Sequence, residues 1–266
     1  MVALLPVLFV VAGWAGYACS ADDVHVVAGP RHVAGRQALG LGPAPPVKAV
    51  PADVELPVLL GPRDGPGGTV TRLDGMQVAL TFDDGPDPTR TPRLLDLLAA
   101  VGAKATFCLV GRSVAAHPWV VARIAAEGHT LCNHSWSHRH DLGRQSEADI
   151  AREMRDTSAA IQAAAPGAPV PYFRAPGGNF TDRLVGVATA LGMTSLQWTM
   201  DTEDWNNAAY PRGSTMINHV IGRVQQYTAP GMIILSHDGG RSDTITAYET
   251  LLPWLSGRFT LVALPR

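Results

Sequence analysis

The sequence predicts an α/β fold with parallel strands, on two observations. From Met76 onward, short apolar runs alternate with segments of helical periodicity, the first pair being MQVALTF and PRLLDLLAAVG. That alternation is typical of βα units. Counting gives seven strands and six intervening helices, which suits a closed or nearly closed barrel better than a long open sheet. A doubly wound sheet is the alternative.

The elements follow in order along the chain. Thr91 can cap the first helix, Pro92 suits its first position, and Gly102 can end it. The later predicted strands are ATFCLV, HTLCN, PYFR, TSLQWTM, GMIILS and FTLVAL. The later predicted helices are Val114–Glu127, Glu147–Ala165, Thr181–Leu191, Ser214–Tyr227 and Asp243–Ser256.

The N-terminal quarter of the chain differs from the rest. Residues 1–21 carry no charged side chain, and this predicts an export signal or, as an open alternative, an uncleaved membrane anchor. Residues 22–75 are rich in Pro and Gly and predict a linker, which places the catalytic domain at residues 76–266. We therefore expect a secreted or extracytoplasmic protein, with the membrane-anchored form still open.

Composition narrows the range of partners. The formal net charge is -2 and the pI is near 6.5, so the chain has no cationic field suited to nucleic acid. No feature predicts a protein partner. Cys108 and Cys132 remain as an even pair if the first segment is removed, and they form either one disulfide or two buried thiols.

Unusual polar residues come directly after predicted strands. The active site of a parallel α/β barrel forms at the carboxyl ends of its strands, so these residues predict one shared site. In chain order they are Asp83 and Asp84, His134 and His138, Arg174, Asp201 and Asp204, and His237.

The histidine pair and the paired aspartates suggest a metal site. His134 and His138 are four residues apart, a spacing that can bring two imidazoles onto one ion. Two histidines and one carboxylate leave positions open for water and substrate, as a catalytic site requires. The competing readings are surface or capping histidines and a simple Asp-Asp-Gly-Pro turn, and His140 is a further candidate ligand.

Five motifs in order, TFDDGP, HSWSH, RAPGG, DTEDW and LSH, resemble those of the NodB-homology polysaccharide deacetylases, carbohydrate esterase family four. The resemblance covers Met76 to the C-terminus and implies a distorted (β/α) barrel of seven to eight parallel strands. It implies a divalent metal, most often zinc, held by Asp84, His134 and His138.

The same resemblance assigns the remaining roles. Asp83 matches the catalytic base and His237 the general acid. Arg174 matches the residue that orients the base, and Asp201 the one that hydrogen-bonds the acid histidine. The position of Gly177 supplies a backbone N–H to the oxyanion, while Trp205 and Leu235 match the walls of the acetyl pocket. Family members usually carry an aromatic residue at the position of Gly177.

The implied function is removal of acetyl groups from an N-acetylglucosamine polysaccharide, with peptidoglycan ahead of chitin. An O-acetyl esterase acting on acetylated xylan is the alternative, and an inactive glycan-binding module is a further one. No G-x-S-x-G turn occurs in the chain, which argues against a covalent serine mechanism.

Overall fold

The computed structural model describes residues 57–266. The predicted export signal or anchor, and residues 22–56 of the predicted linker, lie outside these described residues. Within residues 57–266, no helix combines the length and the apolar character needed to cross a bilayer.

Strands and helices alternate through the described region. The strands are β1 Val78–Asp83, β2 Thr106–Leu109, β3 Thr130–Asn133, β4 Tyr172–Phe173, β5 Thr194–Ser195, β6 Met200–Asp201, β7 Ile233–His237 and β8 Leu261–Val262. The helices are α1 Arg90–Ala100, α2 Gly111–Ala116, α3 Pro118–Ala126, α4 Glu147–Ala164, α5 Asp182–Ala190, α6 Ser214–Tyr227 and α7 Ser242–Ser256.

All the strand pairs are parallel. The order across the sheet is β5-β4-β3-β2-β1-β7-β6, and β8 pairs with the start of β1. The sheet curls into a partial barrel whose two ends, β5 and β6, do not pair with each other. The α/β class and the distorted barrel predicted from the sequence are confirmed.

Two predicted elements are each divided in the structure. The run TSLQWTM forms β5 and β6, because β5 pairs with β4 while β6 pairs with β7 on the opposite end of the sheet. The predicted helix Val114–Glu127 is two helices, α2 and α3, that meet at His117. Pro118 lacks a backbone N–H, so it suits the first turn of a new helix better than a helix interior.

The predicted start of the domain at Met76 is wrong, because residues 57–75 belong to the fold. Val70 and Leu73 are 1% and 3% exposed. Val70 forms a β-bridge with Leu196, which directly follows β5, and Arg72 forms one with Met232, which directly precedes β7. The segment thereby fills the gap between the two ends of the sheet. The Pro and Gly content of this segment suggested a linker, because the sequence does not show these long-range contacts.

The alternation along β1 positions the site. Val78, Leu80 and Phe82 belong to the main core cluster that includes the helices, while Ala79 belongs to the cluster inside the barrel. Successive strand side chains point to opposite faces, so Asp83 shares the interior face with Ala79. The carboxylate of Asp83 therefore emerges inside the barrel at its carboxyl end.

Cys108 and Cys132 form a disulfide inside the barrel. They are directly paired in the register of β2 and β3, and both are fully buried. Of the two sequence-based alternatives, the disulfide is the one present in the structure.

Candidate active site

A cavity of about 470 Å³ opens at the carboxyl ends of the strands. The predicted site residues line it except Arg174 and Asp204, which are both buried behind the others. The lining residues are Asp83, Asp84, His134, His138, His140, Gly177, Gly178, Asn179, Trp198, Asp201, Trp205, Leu235, His237 and Arg241. One site, as the sequence predicted, collects the motifs from β1, β3, β4, β6 and β7.

Asp84, His134 and His138 form a cluster whose ligand atoms lie within 4.8 Å of one another. Oδ1 of Asp84 is 2.9 Å from Nε2 of His138 and 3.5 Å from Nε2 of His134. His134 donates its Nδ1–H to the carbonyl oxygen of Arg174 at 2.9 Å. That hydrogen bond leaves the Nε2 lone pair of His134 directed into the cluster.

Local turns bring these ligands together. Asp84 and His138 adopt left-handed conformations, with φ of 73° and 56°. The N–H of His138 donates to Oγ of Ser135, and the N–H of Ser135 donates to the side chain of Asn133 at the end of β3. The loop after β3 is therefore folded tightly enough to aim both histidines at β1.

The electrostatics of the cluster suit a bound cation. Oδ1 of Asp84 is buried and accepts no hydrogen bond. Burial alone would raise the pKa of Asp84, but His134 and His138 hold that pKa well below its usual range. Burial alone would lower the pKa of His134, yet the carboxylates of Asp83 and Asp84 raise it. Both shifts indicate that the cluster favours added positive charge, and its O and N donors suit a divalent ion such as zinc.

Asp83 is held by Arg174 and lies apart from the Asp84 cluster. Nη1 of Arg174 donates to Oδ1 of Asp83 at 2.7 Å and to the hydroxyl of Thr81. Its Nε and Nη2 donate to the carbonyls of Leu196 and Gln197. These bonds fix the guanidinium on every side, so it orients Oδ1 of Asp83 and leaves Oδ2 facing the histidines, 3.6 Å from Nε2 of His134.

His237 is paired with Asp204. Its Nδ1–H donates to Oδ1 of Asp204 at 2.7 Å, and its backbone N–H donates to Oδ2 at 2.8 Å. Thr244 donates a further hydrogen bond to Asp204, whose side chain is fully buried. Burial alone would lower the pKa of His237, but Asp204 above all raises it to about 9. This pairing favours the protonated form of His237.

The prediction that Asp201 hydrogen-bonds the acid histidine is wrong. Asp201 accepts hydrogen bonds from the backbone N–H of Glu203 and from Nε1 of Trp205 instead. It lines the cavity and positions the Trp205 indole, which is 47% exposed. Asp204, for which the sequence predicted no specific role, makes the predicted bond to the acid histidine instead. Glu203, at φ 55°, lies between the two aspartates in a left-handed conformation.

Gly177 and Leu235 lie in the cavity wall as expected. Gly177 has φ of 62°, and its N–H donates to no acceptor within residues 57–266. A Cβ at this position would come within 3.4 Å of the His140 ring, so the imidazole occupies space beside the missing side chain. Leu235 on β7 is 3% exposed and presents an apolar surface.

The sequence analysis did not identify Asp238, although this residue directly follows β7. It is fully buried; Oδ2 accepts from the hydroxyl of Thr91, and Oδ1 has no partner. Burial raises the pKa of Asp238 to about 7. A Cβ on Gly85 would collide with the Asp238 carboxyl group, so the turn after Asp84 packs against it. Asp238 therefore supports the turn that carries Asp84.

Comparison with known proteins shows which family the chain resembles. A family model described as polysaccharide deacetylase matches residues 71–196. A chitooligosaccharide deacetylase of Sinorhizobium fredii is 33% identical over 77% of this chain and 94% of its own. A peptidoglycan-N-acetylglucosamine deacetylase of Bacillus cereus is 35% identical over 67% of this chain and 81% of its own.

A solved structure gives the same class. A CE4 family pseudoenzyme from Bacillus anthracis matches with a TM-score of 0.66 at 28% identity, covering 75% of this chain and 68% of the other. The chain belongs to the polysaccharide deacetylase family.

Proposed function

We propose that the protein is a metal-dependent hydrolase that removes acetyl groups from N-acetylglucosamine units of a polysaccharide. Peptidoglycan is the first candidate substrate, ahead of chitin. One observation carries the proposal: an Asp–His–His cluster, a separate carboxylate held by an arginine, and a histidine paired with a buried aspartate face one cavity. The relatives named as deacetylases of chitooligosaccharide and of peptidoglycan N-acetylglucosamine support the substrate class.

Asp84, His134 and His138 would hold the divalent ion, with zinc the first candidate. When bound, such an ion polarises the amide carbonyl and lowers the pKa of water. Asp83 takes the proton of the attacking water, and Arg174 keeps its carboxylate in place for that transfer. The N–H of Gly177 is free to donate to the oxyanion that forms as water adds to the carbonyl carbon.

His237 completes the reaction as the general acid. Its Nδ1–H is held by Asp204, so the proton on Nε2 is the one available to the leaving amine. The raised pKa keeps that proton in place at neutral pH. Trp205 and Leu235 would enclose the acetyl methyl group, and acetate and a free amine leave.

The test is acetate release by the full chain from chito-oligosaccharides, peptidoglycan and acetylated xylan, each with added zinc and with a chelator. We expect release from the N-acetylated substrates, and we expect the chelator to abolish it. Release from xylan alone would identify an O-acetyl esterase. No release from any substrate, together with retained glycan binding, would identify a binding module.

A further inference from the structure

Arg241 differs from every other side chain in the cavity wall. It is the one Arg or Lys among the residues that line the cavity, where Asp83, Asp84 and Asp201 supply negative charge. It comes four residues after His237, just before α7. Its backbone therefore belongs to the loop that follows His237, between β7 and α7.

The guanidinium of Arg241 has no partner of its own. Its Nε is buried and makes no hydrogen bond, and within residues 57–266 it takes part in no ion pair. Arg174 provides the contrast, since its Nε, Nη1 and Nη2 all donate to protein acceptors. A buried donor without an acceptor is unfavourable, so Arg241 is poised for an acceptor that arrives with a ligand.

Arg241 also lines a second, smaller cavity of about 100 Å³. Arg212 lines it and likewise has no ion pair within residues 57–266. Two carboxylates are also present, but Asp204 is engaged by His237, and Asp243 accepts the backbone N–H of Gly213. The polar groups of Asn207 and Ser242 complete the wall. Two unpaired guanidinium groups thus flank a small polar recess beside the catalytic cavity.

We propose that Arg241, assisted by Arg212, binds a carboxylate carried by the sugar next to the N-acetylglucosamine unit being deacetylated. A neutral N-acetylglucosamine polymer offers hydroxyl and carbonyl oxygens but no anion, whereas a guanidinium matches a carboxylate with two parallel hydrogen bonds. In peptidoglycan strands freed of their peptides, the lactyl group of muramic acid supplies that carboxylate. The inference rests on the proposed function and selects peptide-free peptidoglycan over chitin.

The experiment compares kcat/KM of the full chain on three tetrasaccharides. One alternates N-acetylglucosamine with N-acetylmuramic acid bearing free carboxylates, the second is the same compound with those carboxylates converted to methyl amides, and the third is chitotetraose. We expect kcat/KM to be about tenfold or more higher for the free acid than for the methyl amide, because the free acid can form a charged hydrogen bond with Arg241. The excess should shrink as salt is raised.

In Arg241→Gln, the ratio of acid to methyl amide should fall to about one. Arg212→Gln should reduce the same ratio by a smaller factor. Arg155→Gln, an exposed arginine on α4 that lines neither cavity, is the matched control and should keep the wild-type ratio.

A wild-type ratio near one, or an unchanged ratio in a folded Arg241→Gln protein, would overturn the carboxylate site. Acetate release from chitotetraose and from the methyl amide would still support the deacetylase itself. Absence of release from all three compounds would instead count against the proposed function. The wild-type comparison needs no variant, so a variant that fails to fold does not prevent the test.

Discussion

Asp83 and Asp84 are adjacent in the chain yet meet different partners, because the backbone enters a left-handed conformation at Asp84. Asp83 continues the inward face of β1 and reaches Arg174, while Asp84 reaches His138. The family motifs predict different roles for these two residues, and in the structure their carboxylates have different partners. The sequence did not distinguish Asp201 from Asp204 correctly, since both follow the same predicted strand and only the path of the intervening loop separates them.

Substituting the two aspartates separately should separate metal binding from catalysis. Asp84→Ala removes a ligand, so we expect loss of both bound zinc and activity. Asp83→Ala should keep zinc affinity within about tenfold of the wild type and lose activity by at least about 100-fold. Calorimetric zinc titration and acetate release measure the two quantities. An Asp83→Ala protein that fails to bind zinc would contradict the assignment.

Asp204→Asn should change the pH profile through His237. A general acid works only while protonated, so activity falls as pH rises through its pKa, and Asp204 raises that pKa to about 9. Without the carboxylate the pKa drops towards or below about 6.5, the ordinary value for histidine. We expect the alkaline limb of kcat/KM to move to lower pH by more than about one unit.

Asp201→Asn is the matched control for that experiment, since Asp201 makes no hydrogen bond to His237. Its effect on the position of the alkaline limb should be much smaller. If Asp201→Asn moved the limb as far as Asp204→Asn does, the pairing of His237 with Asp204 would not be the one that sets its pKa.

At the level of elements, the sequence located the strands β1, β2 and β3 correctly. It did not show that one predicted strand is two strands in the structure. Apolar runs identify β1, β2 and β3 because these strands are buried on both faces. The run TSLQWTM looks like one strand, but its two ends pair with strands on opposite ends of the sheet. Such a division depends on distant partners, about which local periodicity carries no information.

The disulfide between β2 and β3 makes a prediction for these two elements. It closes a loop over a sequence separation of 24 residues. Restricting the unfolded chain in this way is worth about 3 kcal/mol. We expect the variant Cys108→Ala/Cys132→Ala to lose about 2–4 kcal/mol in urea unfolding. An unchanged midpoint would mean that the bond does not form in solution.

The disulfide also bears on location. A buried disulfide is typical of oxidising compartments, and it supports our proposal that the domain functions outside the cytoplasm. Mass spectrometry of the domain isolated from its native cell would test that proposal. Two free thiols would count against it.

At the scale of the whole molecule, the sequence predicted the class of fold but placed the beginning of the domain too late. Pro and Gly in residues 57–75 suggest a linker, yet Val70 and Leu73 pack inside the gap between β5 and β6. Four apolar side chains of this segment, Val58, Leu60, Val70 and Leu73, pack in the barrel interior, and their spacing forms no periodic pattern. Whether such a segment belongs to the domain depends on the gap in the sheet that it fills, and the local sequence does not show that gap.

Leu73→Ala in the full chain should test whether this segment is part of the folded unit. Truncating a buried leucine costs about 2–5 kcal/mol. Leu59→Ala is the control, because Leu59 is 51% exposed and surface changes cost about 0.5 kcal/mol or less. Urea unfolding of both variants gives the comparison. Equal stability of the two would indicate that residues 57–75 act as a tether.

The segment after β8 crosses the end of the barrel opposite to the cavity. The carbonyl of Leu264 accepts from Thr130 at the start of β3, that of Pro265 accepts from Tyr172 at the start of β4, and Arg266 donates to His129. Whatever is joined to Arg266 therefore leaves from the far pole of the domain. A bead, a surface or a fused carbohydrate-binding module attached there would leave the catalytic opening turned outward, towards a long polymer strand.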